Sequence, residues 1–317
     1  MKILNIISYI HIKEVIFLLR LTRECDYNTL MESVRALADA YGFLEFTYLT
    51  ESVMGRGIPL LRIGKGDKNY YYVGTHHGAE RITGALLLKF VYELCEGIKR
   101  GVKICGIDTR LFLERRSLFV IPQLNVDGAD IAANGPPRDS PWYSRLVGIN
   151  GSDDFTRWQA NARGVDLNHN YDAGFDEYKQ IEKELGITTF APTRFSGERP
   201  ESEPETNALC AYFRFLPPRA LITLHTQGKE IYYTSNGICP KGAKETAYRI
   251  ARLTGYTPSV PDGAAAYGGL TDFCIQKLGI PSFTVECGKG QNPLPPEDLC
   301  EMYAELRCAL IKFPFML

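Results

Sequence analysis

Short apolar runs that stop on a polar, chemistry-bearing residue recur along this chain, separated by segments of helical spacing. That alternation narrows the possible folds more than any other feature. Tyr70–Thr75 runs directly into His76-His77-Gly78-Ala79-Glu80, and Ser117–Gln123 ends at the turn Asn125-Val126-Asp127-Gly128. Ala220–Leu224 stops at His225, and Ser282–Val285 stops at Glu286. Leu44–Glu51 and Ile58–Ile63 read as strands around a Met54–Gly57 turn, and Glu230–Thr234 as another. Asp26 is placed to cap a helix over Tyr27–Tyr41, whose Leu30, Val34, Leu37 and Tyr41 share one face. A long helix is expected from Glu80 to Ile98, with others over Glu201–Leu216, Ala243–Thr254, Thr271–Leu278 and Pro295–Phe313. Strands alternating with helices predict an α/β sandwich, with helices on both faces of a mostly parallel or mixed sheet. Residues 129–165, rich in Gly, Pro and Asp, show little periodicity and read as a long functional loop.

In such a sheet the carboxyl edge of the strands is where ligands bind. His77, Glu80, Asn125, His225 and Glu286 all fall at that edge, so the chemistry of the chain is expected there. The bulk numbers fit. At 317 residues the chain can bury one large core, and the net charge of −1 gives no electrostatic reason to expect nucleic acid or an anionic membrane as partner. No 18-residue apolar run is present to span a bilayer. Residues 1–24 read as an extension ahead of a single domain over 25–317. Ile3–Ile10 faintly resembles an export signal, but His11, Lys13 and Glu14 interrupt it, and a cytoplasmic protein is expected. The nine cysteines contain no CxxC and several lie in apolar periodic segments, so reduced, buried thiols are expected.

His77 and Glu80, three residues apart at a strand-to-helix junction, can turn both side chains onto one ion. His225, from another strand end, supplies a third ligand. Two imidazoles and one carboxylate match a catalytic zinc site, which keeps a fourth position open for water. His76 is given a structural role, because only His77 has the three-residue spacing to Glu80. Any one of these residues alone would be unremarkable; the combination points to a single Zn2+.

The ordered set His77-x-x-Glu80, Asn125-Val126-Asp127-Gly128, Gly164-Val165-Asp166-Leu167-Asn168-His169-Asn170, Ser202-Glu203-Pro204-Glu205, His225 and Glu286 resembles the zinc carboxypeptidase superfamily from about Tyr27 to the C-terminus. The resemblance implies a single α/β domain with a mixed, eight-stranded sheet and one zinc ion. The segments Val165–Gly174 and Phe283–Pro295 further resemble the branch that cuts the γ-D-glutamyl–diaminopimelate bond of bacterial cell-wall peptides. A murein-derived peptide, free rather than part of intact wall, is then the expected substrate.

By that resemblance Glu286 is the general base and Asn168 binds the substrate. The chain departs from the carboxypeptidase pattern next door, where His169 stands in place of an arginine that grips a C-terminal carboxylate with a two-pronged fork. Gln159 falls where an oxyanion-stabilising arginine is expected, with Arg157 and Arg163 as nearby candidates. Ala264 replaces the usual late tyrosine, and Tyr267 is a possible substitute. Asp272 either supports the structure or lines the specificity pocket. An ordinary metallocarboxypeptidase and a zinc deacylase of acyl-amino acids are the competing enzyme readings, and a non-cutting wall-fragment binder is a third.

Overall fold

A computed structural model describes residues 25–317; the extension expected over 1–24 lies outside the described residues. The chain runs α1 (Tyr27–Ala40), β1 (Leu44–Glu51), β2 (Gly57–Ile63), β3 (Lys68–Val73), α2 (Ile82–Arg100), β4 (Lys103–Ile104), β5 (Ile107–Asp108) and α3 (Leu111–Glu114). It continues through β6 (Arg116–Ile121), α4 (Val126–Asn134), α5 (Tyr143–Asn150), α6 (Phe175–Glu184), α7 (Pro204–Phe215), β7 (Ala220–Thr226) and β8 (Glu230–Tyr232). It closes with α8 (Ala243–Thr254), β9 (Thr257–Ser259), α9 (Leu270–Leu278), β10 (Ser282–Cys287) and α10 (Leu299–Lys312). Eight strands form one mixed sheet in the order β1-β2-β6-β3-β7-β10-β8-β9, and β4 pairs with β5 in a separate hairpin.

The four central strands β6, β3, β7 and β10 are mutually parallel, so their carboxyl ends share one edge. Parallel strands are buried on both faces and read as continuous apolar runs. Tyr70, Tyr71 and Tyr72 of β3 are fully buried side by side. Their rings alternate across the sheet as successive strand residues must. Tyr71 stacks on Phe119 at 4.7 Å and meets Phe213 of α7 at 4.8 Å, and its hydroxyl donates to Leu216 O at 2.9 Å. Tyr72 turns the other way, against Phe90 of α2, and donates to Leu310 O of α10 at 2.7 Å. Each phenol thus brings a large apolar area into the core while its oxygen finds a carbonyl.

The Asp26 cap forms as the sequence predicts, accepting from Thr29 N at 2.8 Å, and α2 stops at Gly101 in the left-handed region (φ 63°), where a side chain would be strained. Three expectations need correction. Residues 129–165 are not one loop: they contain most of α4 and all of α5, which pack Ile131, Ala132 and Leu146 around the buried Trp158 as a second small core. These helices are short and their apolar residues few, so their period was too brief to register. Helix α6 was not anticipated, because only Phe175, Tyr178 and Glu182 of its ten residues are buried. The cysteine reading fails at one pair: Cys105, in the β4–β5 turn, is disulfide-bonded to Cys308 of α10, 203 residues away, with Cα atoms 5.5 Å apart. Tertiary packing, not spacing along the chain, creates that proximity. Five of the other cysteines are free and buried, whereas Cys239 and Cys300 are free and exposed.

Candidate active site

The chain leaves β3 at Val73 and reaches His77 just ahead of the single 3-10 turn Gly78–Glu80. Gly78 is wedged there: a Cβ would lie 2.2 Å from Gly128 O and 2.8 Å from Trp158 O, so no side chain fits between the two candidate ligands. His77 Nδ1 lies 3.0 Å from Glu80 Oε1, and His225 Nδ1, from the end of β7, lies 3.1 Å from Glu80 Oε2. The ligand-capable atoms of these three residues all fall within 4.8 Å of one another.

Their protonation argues for a cation. His77 Nε2 is 3.2 Å from Asp166 Oδ1, and an ionised carboxylate only accepts, so that nitrogen carries the proton. Nδ1 can then face the Glu80 carboxylate only if positive charge lies between them, supplied by a second proton on the ring or, in its place, by a metal ion. Burial alone would lower the His77 pKa, yet the charges of Glu80 and Asp166 push it well above its ordinary value. Burial would likewise raise Asp166 and Glu80, but the neighbouring histidines hold both carboxyls low. Two nitrogens and a carboxylate around one point are the donor set zinc takes. His76 is not part of it. Fully buried, it bonds Tyr171 Oη at 3.0 Å and Thr223 Oγ1 at 3.3 Å, and burial with two neighbouring imidazoles holds it neutral.

Glu286 is paired in register with His225 across β7 and β10, so both side chains leave the sheet on one face. Burial, together with the charges of Glu80 and Glu230, pushes its carboxyl up. Glu230 is the next residue along this row, opposite Glu286 on the antiparallel neighbour β8. Tyr232 Oη donates to one of its oxygens at 2.6 Å and Ser259 Oγ to the other at 3.1 Å. Sequence reading passed over Glu230; its only signal was parity with Glu286, which depends on knowing that β8 pairs with β10.

A polar cleft of about 540 Å3 opens beside the triad, lined by Ala79, Arg157, Gln159, Thr226, Gln227 and Asn292 among others. Gln159 is firmly seated. Its backbone carbonyl accepts from Gly78 N at 3.0 Å and Asn125 Nδ2 at 3.1 Å, and its side-chain oxygen from Thr193 Oγ1 at 2.5 Å. Arg157 is exposed. Arg163, the other candidate, is committed to Glu203 at 3.1 Å, within the framework that also holds Asn161.

The remaining candidates lie further back. Asn168 accepts from Leu270 N at 3.2 Å, which leaves its amide N–H groups to donate elsewhere. The His169 ring stacks on Tyr178 at 3.8 Å, and its Nδ1 is 3.0 Å from Tyr267 O, so that nitrogen donates. Burial lowers its pKa. A neutral, stacked imidazole cannot act as the two-pronged cation that an arginine would supply. The Tyr267 ring lies over Gly174, where a Cβ would come within 2.7 Å. Asp272 is buried and caps α9 through Gly269 N at 3.0 Å, with Ser235 Oγ on its other oxygen, and burial pushes it up to about 7. These bonds give Asp272 a capping role at the start of α9.

The profile of the zinc carboxypeptidase family matches residues 30–307. The chain is 31% identical over 281 residues to Gamma-D-glutamyl-L-diamino acid endopeptidase 1 of Lysinibacillus sphaericus, covering 88% of this chain and 69% of that protein. Among solved structures, bovine thrombin-activatable fibrinolysis inhibitor bound to tick carboxypeptidase inhibitor superposes with a TM-score of 0.71 at 21% identity, over 93% of this chain and 97% of that one. The murein-tripeptide amidase of Escherichia coli O157 superposes with a TM-score of 0.51 at 19% identity, over 84% and 91%. With the family profile spanning most of the chain over a sheet edge built this way, the protein belongs to the zinc carboxypeptidase family and is a zinc metallopeptidase.

Proposed function

We propose that residues 25–317 form one catalytic unit that hydrolyses the γ-D-glutamyl–diaminopimelate amide of murein-derived peptides, with free fragments rather than intact wall as substrate. The observation that carries the reaction class is the convergence of His77, Glu80 and His225 with Glu286 in register beside them. His77, Glu80 and His225 would hold the zinc ion, which when bound polarises the scissile carbonyl and acidifies water. Glu286 takes the proton of the attacking water on a carboxylate oxygen and hands it to the departing nitrogen. Its raised pKa suits a group that must keep a proton between those two events, and a bound cation would draw that pKa back toward neutrality. Arg157 and Gln159, on the cleft wall beside Ala79, are placed to donate N–H groups to the carbonyl oxygen as it gains charge.

Two features support the diamino-acid substrate. The L. sphaericus relative named above is similar over 88% of the chain. Glu230 lies beyond Glu286 on the side away from His225, and we assign the residue attached to the departing nitrogen to that side. There its carboxylate is oriented by two hydroxyls and suits the side-chain ammonium of a diamino acid. The neutral His169 argues against a grip on an ordinary C-terminal carboxylate. The Cys105–Cys308 bridge favours an oxidising compartment over the cytoplasm expected from the sequence.

The test is hydrolysis of L-Ala-γ-D-Glu-meso-diaminopimelate by zinc-loaded protein, read by mass spectrometry, with Glu286→Gln as control. Release of L-Ala-D-Glu and diaminopimelate, lost in the variant, is expected. Cleavage of ordinary L-peptides alone would replace this reading with a plain carboxypeptidase.

A further inference from the structure

We infer that Asn292 is a positioning residue for Glu80, deciding which of its lone pairs face the metal. The inference rests on the ligand set proposed above.

A carboxylate offers about four lone-pair directions, two on each oxygen. At Glu80 each oxygen has two neighbours, and the pattern is the same on both. Oε1 faces His77 Nδ1 at 3.0 Å and accepts from Asn292 Nδ2 at 3.3 Å. Oε2 faces His225 Nδ1 at 3.1 Å and accepts from the backbone N–H of Thr226 at 3.2 Å. One direction on each oxygen is therefore turned toward the imidazoles, where a cation would lie, and the other is filled by an N–H donor. Asn292 and Thr226 together leave the carboxylate a single orientation.

Asn292 is itself fixed at both ends of its amide. Its Nδ2 also donates to Thr226 O at 2.9 Å, and its Oδ1 accepts from Thr226 Oγ1 at 2.7 Å. Thr226 directly follows His225, so the same side chain ties the loop after β10 to the strand end that presents the second histidine. Only a primary amide can donate to a carboxylate and a carbonyl while accepting from a hydroxyl. A carboxylate at this position would repel Glu80, and a methyl group would leave Oε1 without its outer partner. Asn292 also lines the cleft, so the contact lies at the boundary between the metal site and the substrate.

Outer partners of metal ligands typically contribute about 10- to 100-fold in metal affinity. The test is competition of zinc against a chromophoric chelator for the full chain, comparing the parent with Asn292→Ala, Asn292→Asp and His225→Ala, each with its metal-free melting temperature. Asn292→Ala should weaken zinc binding about 10- to 100-fold, with kcat falling more than KM changes at saturating zinc. Asn292→Asp should weaken zinc binding at least as much, because an added anion competes for the site's orientation rather than restoring it. A folded Asn292→Ala protein that binds zinc within about twofold of the parent, while His225→Ala does not bind, overturns the inference and leaves the ligand set standing. Absence of zinc binding by the parent overturns both. Should Asn292→Ala fail to fold, Thr226→Val removes the hydroxyl that locks the amide without touching Glu80. Weakened zinc binding in that variant supports the inference, and unchanged binding overturns it.

Discussion

Replacing Glu205 by glutamine should flatten the dependence of stability on pH between mildly acid and neutral conditions. Glu205 opens helix α7, is fully buried, and accepts long contacts from Val53 N at 3.4 Å and Asn161 Nδ2 at 3.3 Å. Burial, followed by the nearby carboxylates Asp127 and Glu203, pushes it from an ordinary 4.5 to about 8. Folded protein therefore holds a proton on Glu205 that the unfolded chain has already released. A carboxyl raised on folding contributes fully below the unfolded pKa, and that contribution is lost as pH rises through the folded one. Each pH unit in this window costs about 1.4 kcal/mol per extra proton held, so the folded protein loses about 2 to 3 kcal/mol from Glu205 between about pH 5.5 and 7.5. Glutamine keeps the shape without the titration, and its N–H groups can donate to the same carboxylates. The assay is urea unfolding of parent and Glu205→Gln at several pH values, taking the difference so that other groups, Asp272 among them, cancel. The two stability curves should diverge by that amount as pH rises. Parallel curves would refute the claim that Glu205 is protonated in the folded state.

Asp166→Asn removes the anion that fixes the His77 ring through Nε2, and should weaken zinc binding about 10- to 100-fold in a chelator competition; unchanged affinity would show that Asp166 does not set the tautomer. Glu230→Gln should lower kcat/KM about 10- to 100-fold for peptides whose leaving residue carries a side-chain ammonium, and hardly at all for matched norleucine peptides. Equal losses on both would remove Glu230 from substrate recognition. Replacing Cys105 and Cys308 together by serine opens a covalent loop spanning 203 residues and should cost about 3 to 5 kcal/mol in urea unfolding. A loss below about 1 kcal/mol would show that the unfolded chain gains little freedom from the cut.

Much of the fold was legible because it is written in local patterns. The β1 and α8 boundaries agree residue for residue with the sequence reading, and in α8 the 3.6-residue period shows directly which side chains are buried. His77, Glu80, His225 and Glu286 were legible as candidates because each ends an apolar run, and parallel strands bring all such ends to one edge. What stayed hidden depends on neighbours from elsewhere in the chain. Asp166 stood inside a motif read for Asn168 and His169, and only the approach of His77 gives it work. His169 was read as a substrate contact, and only the tertiary structure shows that its ring stacks on Tyr178 and donates to Tyr267 O, neighbours from segments without a clear sequence pattern. Asp272 became a helix cap once α9 began at Leu270.

The sequence by itself determined the alternation of buried strands and half-buried helices, and with it which residues reach the carboxyl edge of the sheet, because burial periodicity is a local property of the chain. Only the tertiary structure decided which of those residues share a proton, a lone pair or a disulfide. Glu230 beside Glu286, Asn292 on Glu80 and Cys105 on Cys308 join positions 56, 212 and 203 residues apart. Such contacts act over a few ångströms, and that proximity is created by strand order and packing rather than by spacing along the chain.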